Sequence, residues 1–202
     1  MSNPTTSRRD GEATRQRLLR AALDLYTTTG YRATTTPAIA ARAGVAEGTI
    51  YRHFSGKEHL LNEVYRNAQH WGAGLVVETE RNGHHTVSER LAGIARRLLE
   101  VADRDPSLTR MLLRSRDEQH LDERSREAAR QFRQALQQVV GGGGGGGGTE
   151  GAVRSGPTEL WTDVWLALVA FAAERVGARE WQSESPQIGL TLDAAWDAIA
   201  AR

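Results

Sequence analysis

The stretch Thr34 to Tyr65 (TTTPAIAARAGVAEGTIYRHFSGKEHLLNEVY) constrains the fold most, because helix start and stop signals recur in it at short intervals. Thr36-Pro37 pairs a hydroxyl able to cap a helix with a proline suited to the first helical position. Ile39 and Ala43, four apart, supply a buried stripe, and Ala40 is small enough for a second helix to cross closely. Gly44 ends this helix, since glycine takes a left-handed conformation without a Cβ penalty, and Val45 packs back against the turn. Ala46 to Phe54 is predicted as the next helix. Ile50 and Phe54 face inward and Glu47, Thr49, Tyr51, Arg52 and His53 face outward or edge-on. Ser55 followed by Glu58 reads as a capping box opening a further helix through Leu60, Leu61, Val64 and Tyr65. Two short helices about a glycine turn make a helix-turn-helix, a geometry that carries its second helix into the major groove of DNA. The same geometry also occurs as plain packing in helical proteins.

The run IAARAGVAEGTIYRHFSGKEHLL resembles the N-terminal DNA-binding domain of the TetR (tetracycline repressor) family of bacterial transcription regulators. The resemblance covers roughly Thr14 to Tyr65 and extends to a long first helix carrying Leu18-Leu19, Ala22, Leu25-Tyr26 and a late Gly30-Tyr31. It implies that Thr49, Tyr51, Arg52 and His53, with Glu47, lie on the DNA side, and that Thr36, Tyr51 and Lys57 meet phosphates. Ala46 departs from the pattern, because many members carry a serine there that caps the recognition helix or touches phosphate.

Charge is distributed in keeping with this. The whole chain of 202 residues has a formal net charge of only +1, but residues 1–70 carry 10 Lys/Arg against 6 Asp/Glu, net +4, and the remainder is net −3. Counterion release rewards cations only on the surface facing DNA. Lys57 is the sole lysine and falls at the start of the third helix of the motif. The polar segment Met1 to Asp10 has no apolar core for a signal peptide and reads as a flexible arm. Its Arg8 and Arg9 suit either a minor groove or a solvated tail.

Everything beyond Tyr65 reads as helix, so the chain is expected to be all-α with about nine helices. A helix from Lys57 to Arg81 is followed by a break at Asn82-Gly83-His84-His85. A capping box, Thr86 with Glu89, then opens a helix reaching Asp103. Further helices are expected over Ser107–Arg116, His120–Val140, Pro157–Val176 and from Pro186 onward. Eight glycines at 141–148, continued to Gly151, form either a flexible connection or a stand-in for residues of unknown identity, and carry no function. The expected organisation is an arm (1–10), a helix-turn-helix domain (11–56) and a helical regulatory and dimerisation domain (57–202, with 141–151 as the glycine-rich loop).

The segment from Pro157 to Val176 is apolar nearly all round, so it must be covered on two sides. Trp161, Val164, Leu168 and Phe171, with Leu192, Trp196 and Ile199 of the last helix, are the candidate homodimer interface. The resemblance implies a four-helix interface built from the last two helices of each subunit. Completion of a monomeric core is the plainer alternative. The resemblance also implies a small-molecule effector cavity between roughly residues 65 and 176. The candidate walls are Trp71, Leu75, Leu98, Met111, Phe132, Leu136, Trp165 and Val169, with Arg110, Arg114, His70 and His120 as polar partners; ordinary core packing accounts for the same apolar residues.

No cysteine, H-E-x-x-H pair or phosphate loop is present, so neither an enzyme nor a metal or other cofactor is expected. No apolar run approaches the ~18 residues that cross a bilayer, which points to a cytoplasmic protein without membrane contact. The expected activity is that of a dimeric repressor on a palindromic double-stranded operator, released by a small-molecule effector. The alternative is a helical DNA-binding or protein-interaction module that takes no ligand.

Overall fold

The computed structural model describes residues 4–81, 86–114, 118–142, 152–182 and 184–201, without the side chains of 4–8, 114 and 118. The break at Asn82 to His85, the glycines 143–148 and the side chains of Arg8, Arg114 and Ser115 therefore lie outside the described residues. Nine α-helices are described: α1 (Pro4–Thr28), α2 (Thr36–Ala43), α3 (Ile50–His53), α4 (Lys57–Glu80), α5 (Val87–Arg104), α6 (Pro106–Arg114), α7 (Glu123–Gly141), α8 (Thr158–Gly177) and α9 (Pro186–Asp197). Short 3-10 turns occupy Glu47–Thr49 and Glu118–His120. The all-α expectation holds. Residues 4–10, expected as an arm, are already helical in α1.

The chain divides into two compact units: residues 1–67 with 115–126, and residues 68–114 with 127–202. This division differs from the expected boundary at residue 56, because the first turns of α4 and the segment ahead of α7 belong with the N-terminal helices. In the first unit Leu18, Ala22 and Tyr26 of α1 are buried, as are Ile39 and Ala40 of α2, Ile50, Phe54, and Leu60, Leu61 and Val64 of α4. The turn after α2 forms as its sequence demands. Gly44 sits at φ 66°, ψ 41° and donates to Ala41 O at 3.2 Å, while Val45 N donates to Ala40 O at 3.0 Å.

Two caps differ from expectation. Thr35, not Thr36, is the N-cap of α2, accepting from Ala38 N at 3.3 Å, which puts Thr36 inside the first turn beside Pro37. At the start of α4, His59 Nδ1 accepts from Ser55 N at 3.1 Å, so an imidazole occupies the place expected of Glu58.

In the second unit α8 packs against α5, α6 and α9. Its inner face is Thr162, Trp165, Val169, Ala172, Ala173 and Val176, set against the stripe of α5 that includes Leu98, Leu99 and Ala102. The capping box of α5 is present, with Glu89 N donating to Thr86 Oγ1 at 3.2 Å and Thr86 N to Glu89 Oε2 at 3.0 Å. Gly72 marks a close approach: a Cβ there would lie 2.7 Å from Leu112 Cδ1 and 3.0 Å from Phe132 Cδ2. Near the C-terminus residues 152–154 pair with 199–201 through Arg154 N to Ile199 O (2.9 Å) and Ala201 N to Ala152 O (2.8 Å).

Candidate nucleic-acid interface

The recognition segment is shorter and less regular than its sequence predicts. Ala46 provides no side-chain cap, so the segment opens as the 3-10 turn Glu47–Thr49 and only then becomes α3. Ile50 and Phe54 are buried and fix its inner side. Glu47, Gly48, Tyr51 and Arg52 are exposed on the other, and Thr49 and His53 are half-buried at its edge. Tyr51 is 57% exposed, an unusual state for a large aromatic side chain unless a partner covers it.

Thr36 joins this surface from α2. Its Oγ1 donates to Glu47 Oε1 at 3.4 Å and lies 3.4 Å from the Tyr51 hydroxyl, so one threonine braces two exposed residues of the recognition segment. Since the Thr36 proton points at Glu47, the phenol of Tyr51 donates to Thr36 Oγ1. Arg52 has no carboxylate partner among the described residues, and its guanidinium remains available for an anion or a base edge.

The structure places Lys57 differently from a simple phosphate ligand. Nζ donates to Thr34 O at 2.7 Å and to Arg32 O at 3.4 Å and lies 4.2 Å from the centre of the Tyr31 ring. Its ammonium is thereby a clamp on the loop between α1 and α2, using charge-assisted hydrogen bonds and a cation–π contact. Beneath it, Tyr26 donates to Lys57 O at 3.0 Å. Burial, and secondarily the neighbouring Tyr31, push the Tyr26 phenol well above its ordinary range, so it stays neutral.

A polar network, which no local spacing reveals, holds the segment ahead of α7 to the first unit. Asn62 is 2% exposed, and its Nδ2 donates to Glu58 O and His120 O, both at 2.9 Å. Its Oδ1 accepts from Asp122 N at 2.8 Å and from Ser125 Oγ at 2.6 Å, which uses the full capacity of the amide. Arg66 Nη1 donates to Asp122 Oδ2 at 2.9 Å, and Glu63 pairs with both Arg66 and Arg15. Burial raises the Glu63 carboxyl, but the hydrogen bonds and charge of Arg66 and then Arg15 outweigh it and hold it below the ordinary carboxylate range. Asp122 is lowered in the same sense: slight burial raises it, and hydrogen bonds from Ser125, as the cap of α7, and from Arg66 prevail.

The residues considered for an effector site are distributed over both units. Leu75, Leu98, Met111, Phe132, Leu136, Trp165 and Val169 are buried in the second unit, and Trp71 is half-buried. Arg110 is committed to Glu174 at 3.4 Å, where Thr109, Leu113, Ala170 and Ala173 complete a crevice of about 10 Å³, too small for an organic molecule. His70 is exposed. His120 belongs to the first unit and stacks on Tyr31 with ring centres 4.4 Å apart, so it is not grouped with those walls.

The dimer candidates separate as well. Phe171 is 46% exposed; Trp161, Val164, Leu168, Leu192 and Trp196 are half-buried, whereas Ile199 is fully buried inside its own unit and is removed from the set. Leu160 and Leu190, the latter 69% exposed, were missed because they fall outside the expected apolar stripes.

A buried inner face, a left-handed glycine turn and a polar recognition face beside an exposed aromatic define a helix-turn-helix DNA-binding domain. Residues 18–64 match the family described as bacterial regulatory proteins, tetR family. Those residues of the chain therefore carry the N-terminal domain of that family. The chain is similar to the HTH-type transcriptional regulator SrpR of Pseudomonas putida, 41% identical over 61 residues, covering 30% of this chain and 29% of that one. The match to SrpR thus spans less than a third of that relative. The chain is also 26% identical over 162 residues to YvkB of Bacillus subtilis, an uncharacterized HTH-type regulator, covering 77% and 79% of the two chains. Its fold matches a crystal structure of a tetR family regulator from Shewanella sp. PV-4 with a TM-score of 0.75 at 22% identity, over 94% of this chain and 99% of that one. No helix of the described residues is long and apolar enough to cross a membrane.

Proposed function

We propose that this protein represses transcription by binding a palindromic operator as a homodimer and leaves it when a small apolar effector occupies the helical unit. The observation that carries the DNA-binding part is the exposed set of Glu47, Tyr51 and Arg52, on a segment pinned from below by Ile50 and Phe54 and braced from α2 by the half-buried Thr36. Arg52 and Glu47 address base edges, and Tyr51 and Thr36 approach the backbone, which sorts positioning contacts from reading contacts.

The apolar side chains that α8 and α9 leave uncovered, Leu160, Phe171 and Leu190, support two-fold association. A second subunit laid on that surface supplies the second reading head that a two-fold operator requires. For the effector, the buried aromatic and aliphatic side chains of the second unit favour an apolar molecule over an anion, since Arg110 already holds Glu174. Release requires that the effector bind one separation of the two heads better than the other.

Footprinting on randomised DNA tests this reading. A short two-fold symmetric protected sequence supports it; affinity independent of sequence would assign the protein to a nonspecific helical module instead.

A further inference from the structure

We propose that Glu47 reads the exocyclic N4 amino group of a cytosine in each half-site, which makes it the residue that selects a C·G pair there. The proposal rests on the DNA-binding reading above and adds a base identity to it.

A carboxylate on this face needs an explanation, because it stands where a polyanion is to dock, on the end of the chain with net charge +4. Glu47 has no cationic partner among the described residues that would neutralise it. Its place in the first turn of the recognition segment and the Thr36 hydrogen bond favour it in the free protein, and in the complex hydrogen bonds from the floor of the groove offset its repulsion of phosphate. In the major groove the donors are the amino groups of cytosine and adenine. Adenine N6 sits beside the N7 acceptor, whose lone pair opposes a second carboxylate oxygen. Guanine and thymine present acceptors alone. Cytosine, whose own edge offers the N4 donor and no acceptor, is therefore the best match.

Two further observations favour contact with a base rather than solvent. Thr36 Oγ1 donates to Oε1 of Glu47 at 3.4 Å and is itself backed by the Tyr51 hydroxyl at 3.4 Å, which orients the carboxylate and leaves Oε2 for an outside donor. The next residue, Gly48, has no atom within 4 Å of where its Cβ would be, so packing does not require glycine there. A residue with no side chain at an exposed, unobstructed position lets the backbone beside Glu47 come close to base edges.

The test compares the wild-type protein with Glu47→Ala and Glu47→Gln. The operator is first selected from randomised duplexes, and affinity for every single-base variant of one half-site is then measured by fluorescence anisotropy. The wild type is expected to prefer C·G at one position of each half-site by about tenfold or more. Glu47→Ala should erase the preference at that position alone. Glu47→Gln should move it to A·T, because the amide both donates to N7 and accepts from N6 of adenine. Uniformly tighter binding by Glu47→Ala with every base preference unchanged would overturn the proposal, since the carboxylate would then be only a repulsive charge. A specific operator whose preferences ignore residue 47 overturns it equally while leaving the DNA-binding reading intact. A wild-type protein with no sequence preference at all overturns both.

Discussion

Replacing Asn62 by leucine should loosen the first unit by about 1–4 kcal/mol, because the amide's four partners come from a segment some sixty residues away as well as from its own helix. The substitution is close to isosteric, so cavity formation contributes little. His120 O and Asp122 N lose their partner in a partly sheltered place, and each orphaned group costs roughly 1–3 kcal/mol. Ser125 fares better, since its hydroxyl also lies 3.4 Å from Asn62 O and accepts from Arg66 at 3.1 Å. Against these losses the buried leucine returns about 1–2 kcal/mol of apolar transfer energy. Urea unfolding followed by far-ultraviolet circular dichroism measures the net effect. A loss below about 1 kcal/mol would refute the reasoning, because it would mean that the segment ahead of α7 is held by something other than this amide. Asn62→Asp adds a pH signature. The carboxylate would face the carbonyls of Glu58 and His120, burial would raise its pKa, and its penalty should grow as pH rises above about 4 and shrink on acidification.

Lys57→Ala should weaken operator binding while leaving the salt dependence of that binding unchanged, because the ammonium holds Thr34 O rather than a phosphate; a slope reduced by about one ion would restore the phosphate role. Glu63 and Asp122 both have carboxyls lowered in the folded state, so the stability they add is complete above the ordinary carboxyl range of about 4 and is lost as pH falls through their folded values. Asp122→Asn should flatten that acid limb in a series of unfolding curves between pH 6 and pH 3. Gly44→Ala should cost about 1 kcal/mol in thermal unfolding through its left-handed φ of 66°. Leu190→Glu should lower the sedimentation mass toward that of a monomer if α9 forms the subunit interface, and an unaltered dimer would place that interface elsewhere.

Where the determinants were local, the sequence carried them well. Thr86 and Glu89 are three apart on one turn, and the capping box forms as written; Gly44 needs only its own backbone to end α2. In TTTP three threonines compete for one cap, and only the geometry decides for Thr35. The box expected at Ser55 and Glu58 yields to His59, whose ring lies edge-on to Phe54 with centres 5.6 Å apart. Glu47, Tyr51 and Arg52 were recognisable as an outward set from the inward spacing of Ile50 and Phe54. Their brace at Thr36 and the diversion of Lys57 to the loop depend on tertiary approach, and the spacing of residues carries no trace of it. Asn62 was invisible for the same reason, because nothing near it in sequence marks its partners at 120, 122 and 125.

The clamp made by Lys57 has a practical side, since it involves the only primary amine on any side chain of the protein. A lysine-specific endoprotease can therefore cut the chain only between Lys57 and Glu58, within the first turn of α4, with the side chain that the enzyme must seize tied to Thr34 and covered by Tyr31. Cleavage then reports opening of this one corner of the DNA-binding unit, and the rate at which the two fragments appear is a built-in gauge of how often the loop between α1 and α2 lets go.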